Sequence, residues 1–277
     1  MNPIKLFRWL LLIGLTACCA AVLGATGNAV TNPVSDYGTQ LSGLFWLVMA
    51  ICGAFFALVI TIMAIVFFRF RAKRAEAEGK AVHGNVKLEI LWTAVPLALM
   101  VWLAFVSADL VNYQLRPPPS TLIVKVVAYQ FGWDYEYYQS VPNGTGADLM
   151  TIKNICGNPA SMVTIRKLNI KSTNDFTLPV NTPVRFLVSS RDVIHSFWIP
   201  DFLIKRDTVP GLVADLWLTP DTLGDFRVVC AALCGPDHAV MTGTMRVVSA
   251  EAFAAWSAEH AVAPAPQASP DSKENRT

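Results

Sequence analysis

Two long apolar stretches constrain this chain more than any other feature. Residues 44–68 read LFWLVMAICGAFFALVITIMAIVFF, and residues 88–111 begin LEILWTAVPLALMVWLAFVS. A helix of about 20 apolar residues crosses the ~30 Å hydrocarbon core of a bilayer. Pro96, in the second stretch, is tolerated inside a membrane helix. The sequence therefore predicts a two-helix transmembrane hairpin within residues 40–115.

Basic residues between the two stretches predict the orientation of this hairpin. Arg69, Arg71, Lys73 and Arg74 follow the first stretch directly. Loops rich in Lys and Arg stay in the cytoplasm, so both outer ends of the hairpin face the other side of the membrane. We therefore expect a multi-pass protein of a bacterial-type inner membrane, with the rest of the chain in the periplasm or outside the cell.

Residues 1–25 have the pattern of a secretory signal peptide. Lys5 and Arg8 precede an apolar run that is too short to span a bilayer comfortably. The letters L-T-A-C at residues 15–18 also fit a lipobox, with cleavage before Cys18 and acylation of this residue. An ordinary signal peptide cut at a later small residue is the alternative, and the sequence leaves both open.

After about residue 116 the chain changes to short β-rich segments such as TLIVKVVAYQF, MVTIRKLNI and PVRFLVSS. Gly, Pro, Asn and Asp separate them. Short strands at even spacing predict an all-β Greek-key sandwich over residues 116–250, outside the cytoplasm. Residues 251–277 predict a short helix and then a disordered tail rich in Pro, Ala and Ser.

Composition excludes several classes of function. The chain is 53% hydrophobic and 15% charged, with a formal net charge of +2. Lipid is therefore an expected partner, and nucleic acid is not. The sequence contains no P-loop, Gly-rich dinucleotide fingerprint or nucleophile elbow.

Chemistry is concentrated in C-A-A-L-C-G-P-D-H-A-V-M, residues 230–241. A disulfide between Cys230 and Cys234 would suit an oxidising compartment but leaves His238 and Met241 unexplained. A structural zinc site would make little use of Met241, which could also simply pack in a core. Thiolate, imidazole and a weak thioether together are typical of electron-transfer copper sites.

A copper site with two cysteines needs a second histidine, because two thiolates can bridge two metal ions. His195, in SSRDVIHSFWIPDF, is the best candidate. The alternative for a lone histidine among aromatic residues is a packed core position. His83 lies in the predicted cytoplasmic loop and His260 lies by the tail, so both are poor candidates.

These two segments together resemble subunit 2 of the haem-copper cytochrome c oxidases. The family's copper loop reads C-x-E-x-C-G-x-x-H-x-x-M, which matches residues 230–241 except at Ala232. Its upstream motif D-V-x-H-S-F/W appears at residues 192–197. The resemblance covers most of the chain and implies a cupredoxin-like sandwich after the two spanning helices.

The resemblance implies a dinuclear copper centre of the CuA type. Cys230 and Cys234 would bridge two copper ions, while His195 and His238 would each bind one of them. Met241 and the backbone carbonyl of Ala232 would be the weak axial ligands.

Three departures from the family pattern accompany the match, and one of them places Leu212 where the family's K-x-D-x-x-P-G-R motif ends in arginine. Ala232 stands where the family has a glutamate that reaches a magnesium or manganese ion at the interface with subunit 1, so this chain lacks that carboxylate. The family's aromatic stretch Q-W-x-W-x-Y-E-Y appears as QFGWDYEY at residues 130–137. Phe131 thus replaces the tryptophan at which electrons usually arrive, and the resemblance implies electron acceptance near Phe131 and Trp133.

Glu89 aligns with a glutamate that opens a proton-uptake path in many of these oxidases. The alternative is a solvated carboxylate at a helix terminus, where a negative charge is favourable. The sequence supports both interpretations equally.

The implied function is electron acceptance in a terminal respiratory oxidase. Cytochrome c or a similar periplasmic donor would reduce the copper pair, which would pass electrons to haem in subunit 1 for reduction of oxygen to water. Haem and a third copper are expected in that partner, and subunit 3 is a further expected partner. The alternatives are the equivalent subunit of another haem-copper enzyme, such as a nitric oxide reductase, and a membrane-tethered copper carrier. A quinol oxidase subunit of the same fold would lack the copper ligands.

Overall fold

The computed structural model describes residues 32–70, 84–119, 122–141, 149–152 and 163–261. The described residues fall into two units, one formed by the long apolar helices and the other formed mainly by β-strands. The predicted signal peptide with Cys18, most of the basic loop and the tail after residue 261 lie outside the described residues.

Each apolar stretch forms one long helix. Helix α1 comprises Asp36–Arg69 and helix α2 comprises Val86–Leu115. The Oδ1 atom of Asn85 accepts hydrogen bonds from two backbone N–H groups of the first turn of α2, at 3.1 and 3.3 Å, which caps the helix start. Pro96 lies inside α2 without ending it. Both helices are long and apolar enough to cross a membrane.

The surface of this helical unit is apolar on all sides. Helix α2 has no buried residue, and large side chains such as Phe67, Trp92 and Phe105 are exposed. A water-soluble domain rarely exposes an apolar surface of this extent, because exposed apolar area costs free energy in water. The helices therefore anchor the chain in a membrane.

The described part of the second unit contains eleven strands. Their bounds are β1 Leu122–Tyr129, β2 Gly132–Ser140, β3 Leu149–Ile152, β4 Val163–Thr173, β5 Asp175–Pro179, β6 Val184–Ser190, β7 His195–Ile199, β8 Ile204–Thr208, β9 Ala214–Leu218, β10 Gly224–Cys230 and β11 Thr242–Val248.

The strands form two sheets that pack face to face as a sandwich. One sheet has the order β3-β4-β2-β1-β6-β9, and the other has the order β5-β11-β10-β7-β8. Most neighbours are antiparallel, but β1 pairs with β6 and β11 pairs with β5 in parallel, which requires connections that cross between the sheets. This order makes β7, β10 and β11 consecutive neighbours, and the strongest candidate ligands lie at the ends of these three strands.

Aromatic side chains dominate the core between the sheets. Trp133, Tyr135 and Tyr137 alternate along β2 and all point inward, fully buried. Phe197 from the opposite sheet packs against Trp133 with ring centroids 5.3 Å apart, and against Phe186 at 5.7 Å. Alternation with period two thus gives each sheet one face that fits the other.

The buried hydroxyl of Tyr137 joins the two sheets. It accepts a hydrogen bond from the backbone N–H of Thr177 and donates one to the carbonyl of the same residue, both at 3.0 Å. Burial raises the pKa of Tyr137, so the phenol stays neutral and keeps its proton for this bond. Helix α3, Ala250–Glu259, follows β11 and packs Trp256 against Tyr137 with centroids 5.3 Å apart.

Candidate metal centre

The segment 230–241 connects two adjacent antiparallel strands. Cys230 is the last residue of β10, and Met241 directly precedes β11. The backbone N–H of Cys230 donates to the carbonyl of Met241 at 3.1 Å and closes the base of the loop. Inside the loop, His238 opens a short 3-10 turn at His238–Val240. The loop is therefore tied at both ends to a rigid sheet; we call residues 230–241 the ligand loop.

His195 reaches the ligand loop through strand pairing. It opens β7, which pairs antiparallel with β10 in a register that places Cys230 opposite Phe197. The backbone N–H of Ala231 also donates to the carbonyl of Ser196 at 3.0 Å. A histidine that lies far away in the sequence is thereby held beside the first cysteine of the loop.

The two cysteines are free thiols that face each other. Their Sγ atoms are 3.8 Å apart, whereas a disulfide requires about 2.05 Å. Both residues are buried, with 8% and 7% of their surface exposed. This arrangement is not a disulfide in the structure, and it leaves two sulfur donors directed into one small space.

Each thiol has a histidine next to it. The Nδ1 atom of His195 lies 3.9 Å from the sulfur of Cys230, and the Nδ1 atom of His238 lies 3.6 Å from the sulfur of Cys234. Met241 places its Sδ atom 3.8 Å from the sulfur of Cys234. The carbonyl oxygen of Ala232 lies 3.2 Å from the sulfur of Cys230. All six sequence-predicted ligands are therefore brought together.

The donor set fits copper better than zinc. Soft thiolates with imidazole and a thioether select copper, whereas zinc sites use Cys and His without Met. His195 and Met241 are both buried and could also be core residues. Their donor atoms, however, lie beside the two thiols rather than among apolar atoms alone. Among the described residues, His195, Cys230 and Cys234 form a group whose ligand atoms all lie within 4.8 Å of one another.

Burial makes the Cys234 thiol hard to ionise without a metal. Desolvation and the adjacent Cys230 raise the pKa of Cys234 to about 11. The thiol is therefore protonated at neutral pH in the metal-free protein. A metal ion must release this proton as it binds, because the thiolate is the ligand.

Asp192 fixes the orientation of the His195 ring. Its Oδ1 atom lies 2.9 Å from Nε2 of His195. Burial acts to raise the pKa of Asp192, but hydrogen bonds from His195 and from the backbone N–H groups of Gln130 and Val193 hold it at about 2. An ionised carboxylate can only accept, so Nε2 carries the proton and Nδ1 is left free to bind a metal beside Cys230.

Phe131 and Trp133 lie close to the centre, on the β1–β2 hairpin. Trp133 is buried beside His195, with ring centroids 6.4 Å apart. Phe131 lies in the turn before β2, against Gly235 of the ligand loop. His260, by contrast, stacks on Trp256 with centroids 4.5 Å apart, on helix α3. Glu89 lies in the first turn of α2, in the helical unit.

Comparison with known proteins identifies both parts of the chain. Residues 122–248 match the family described as "Cytochrome C oxidase subunit II, periplasmic domain". Residues 28–110 match "Cytochrome C oxidase subunit II, transmembrane domain". The two matches follow the same order along the chain as the helical unit and the sandwich.

Individual relatives agree with these matches. Cytochrome c oxidase subunit 2 of Cereibacter sphaeroides is 32% identical over 240 residues, which are 83% of this chain and 79% of that protein. A probable cytochrome c oxidase subunit 2 of Rickettsia prowazekii is 29% identical over 261 residues, 92% of this chain and 81% of that protein.

Among solved structures, the periplasmic domain of cytochrome oxidase subunit II from Bradyrhizobium japonicum is similar at 26% identity. The similarity covers 52% of this chain and 96% of that one, with a TM-score of 0.38. By its element order and its two family matches, the fold is a pair of apolar helices followed by a cupredoxin-like β-sandwich. With two family matches in sequence and a relative above 30% identity over most of both chains, this chain belongs to the cytochrome c oxidase subunit 2 family, whose members are part of haem-copper oxidoreductase complexes.

Proposed function

We propose that this chain holds a dinuclear CuA centre and serves as the electron-accepting subunit of a terminal respiratory oxidase. One observation carries the proposal: two free, buried thiols lie 3.8 Å apart, and each has the Nδ1 atom of a different histidine within 4 Å. A pair of sulfurs with one imidazole on each side is a symmetric donor set for two metal ions.

The residues have separate roles in this proposal. Cys230 and Cys234 would bridge the two copper ions, and His195 and His238 would each complete one of them. Met241 and the carbonyl of Ala232 would complete the set as the weaker ligands. Since Ala232 contributes only its backbone, the loss of the family's glutamate side chain leaves this ligand in place.

When bound, copper would supply one-electron chemistry, by which electrons pass from cytochrome c or a similar donor to haem in subunit 1 for the reduction of oxygen to water. The protein's own contribution is rigidity and the exclusion of water. The neighbouring strands β7, β10 and β11 of one sheet hold the ligands at their ends, and both thiols are buried. A rigid, dry site keeps rearrangement small when its charge changes.

Electron acceptance is proposed to occur at the turn between β1 and β2. The ring of Phe131 lies against the ligand loop at Gly235, and Trp133 lies beside His195. Phe131 offers an aromatic face to a donor but lacks the indole N–H of the tryptophan that the family carries. Recognition of the donor must then depend on other groups around this turn.

The proposed partners follow from membership of the family. Subunit 1 would carry the haem and a third copper, and subunit 3 and membrane lipid would contact the complex further. We propose that α1 and α2 both cross a bacterial inner membrane and leave the sandwich in the periplasm.

Copper binding by the full-length chain tests the proposal. We expect the reduced protein, purified in mild detergent, to take up two copper ions per chain and to show a purple, mixed-valence dinuclear spectrum. A mononuclear blue spectrum, or a cystine between Cys230 and Cys234 that takes up no metal after reduction, would contradict it. Copper that leaves rapidly to a chelator would instead indicate a copper carrier, although burial of both thiols argues against exchange.

Glu89 is proposed to take part in proton uptake by the assembled oxidase. We expect Glu89→Gln to slow turnover at least several-fold, because the amide cannot carry a proton. The measurement is oxygen consumption by the intact complex, with Glu251→Gln, an exposed carboxylate on α3, as the control. If the Glu89→Gln complex equalled wild type in turnover and proton uptake, Glu89 would be only a solvated carboxylate at a helix terminus.

A further inference from the structure

The turn between β1 and β2 packs tightly on the ligand loop. Gly235 adopts φ +144°, which side-chain-bearing residues rarely adopt. A Cβ atom at this position would lie 2.9 Å from ring carbons of Phe131 and 3.0 Å from Nε2 of Gln130. The close approach therefore depends on glycine, and it brings Gln130 into contact with the backbone that carries Cys234.

The side chain of Gln130 bonds one cysteine segment directly. Its Nε2 atom donates a hydrogen bond of 2.6 Å to the backbone carbonyl of Cys234, 104 residues away in the sequence. This bond fixes the peptide that follows Cys234, between its Cα and Gly235. Because the Cys234 side chain extends from the Cα next to this peptide, the orientation of the peptide influences where the sulfur lies.

The backbone of the same residue is linked to a histidine ligand. The N–H of Gln130 donates to Oδ2 of Asp192 at 2.7 Å, and Oδ1 of Asp192 lies 2.9 Å from Nε2 of His195. One residue on the turn is therefore connected to both ligand segments, which approach the centre from different strands. The side-chain link leads to Cys234, and the main-chain link leads through a carboxylate to His195.

We propose that Gln130 is a positioning residue of the metal centre, which couples the proposed electron-accepting turn to the geometry of Cys234 and His195. The inference rests on the proposed CuA function. The contact with Cys234 requires a side chain as long as glutamine that ends in an N–H donor. A glutamate carboxylate would place an oxygen against the carbonyl oxygen of Cys234, and an aliphatic side chain would provide no donor. The main-chain link to Asp192 needs no particular side chain, so substitutions at this position isolate the link to Cys234.

The test compares Gln130→Leu and Gln130→Glu with Gln139→Leu in the full-length protein. Gln139 is exposed on β2 of the same hairpin, so its substitution controls for the loss of an amide. We expect both Gln130 variants to bind copper about tenfold more weakly than wild type, as is typical when the hydrogen-bonded support of a metal ligand is removed. The dinuclear spectrum and the reduction potential should also change, whereas a residue with a merely structural role would alter stability and leave both unchanged.

The outcomes separate this inference from the function on which it rests. A wild-type protein that binds no copper overturns the proposed function and the positioning role together. A wild type that binds two copper ions, with Gln130 variants of unchanged affinity, spectrum and potential, overturns only the positioning role. Equal changes in the Gln139→Leu control would also overturn it, because they would not arise from the contact with Cys234.

Discussion

Replacing Cys230 with serine is expected to abolish the dinuclear copper signal completely. The substitution removes one of two sulfurs that lie 3.8 Å apart, so no pair of bridging atoms remains. A serine hydroxyl is a hard oxygen donor that does not ionise near neutral pH, and it cannot replace a soft thiolate at copper. The measurement is copper stoichiometry together with the optical and paramagnetic spectra of the full-length protein, and Cys234→Ser should have the same effect.

A suitable control for this loss lies on helix α1. Cys52 is exposed there, and Cys52→Ser removes a thiol of the helical unit without altering the proposed donor set. It should keep two copper ions per chain and the wild-type spectrum. A Cys230→Ser protein that still showed the mixed-valence spectrum would contradict the bridging role and would require different ligands.

Replacing Phe197 with alanine is expected to destabilise the sandwich by about 3–5 kcal/mol. The ring is fully buried and contacts aromatic residues of the opposite sheet, so its removal leaves a cavity at the centre of the core. In urea, the unfolding midpoint of the metal-free protein should fall by more than about 1 M at ordinary denaturant slopes. Tryptophan fluorescence follows the transition.

The neighbouring residue provides the matched comparison. Trp198 lies on the same strand but points to the other face and is 38% exposed. Trp198→Ala should therefore shift the midpoint much less, although it deletes a larger side chain. Equal shifts for the two variants would mean that the strand is not oriented as described, and the inward direction of His195, two residues before Phe197, would then be wrong as well.

The helices were the easiest elements to predict, because the length of an apolar stretch alone indicates them. Helix α1 begins at Asp36, well before the apolar stretch at residue 44, since polar residues at a membrane surface continue a helix without an apolar signal. The strands with long alternating patterns were also predicted. Strands β3, β5, β7 and β8 were not, because each has only four or five residues and polar members, such as Ser196 and Asp207, conceal the alternation.

The predicted ligands could be identified from residue type and spacing in the sequence, and they lie together in the structure. The groups that orient the ligands could not be predicted in the same way. Asp192 was visible only as a letter of a motif, and its bond to His195 depends on how β7 begins. In the sequence, Gln130 is only the first residue of an aromatic stretch. Its contact with Cys234 spans 104 residues and forms only when two sheets pack together, which no local pattern reports.

The pairing of β7 with β10 also determines when the complete set of proposed metal ligands is in place. His195 and Cys230 become neighbours only after these strands have aligned, and Met241 is in place only once the base of the ligand loop has closed. An extended polypeptide therefore offers the donors of the ligand loop without His195 and without their fixed arrangement. Metal ions that bound the finished domain would shift the folding equilibrium toward the native form, since they would bind it more tightly than the unfolded chain.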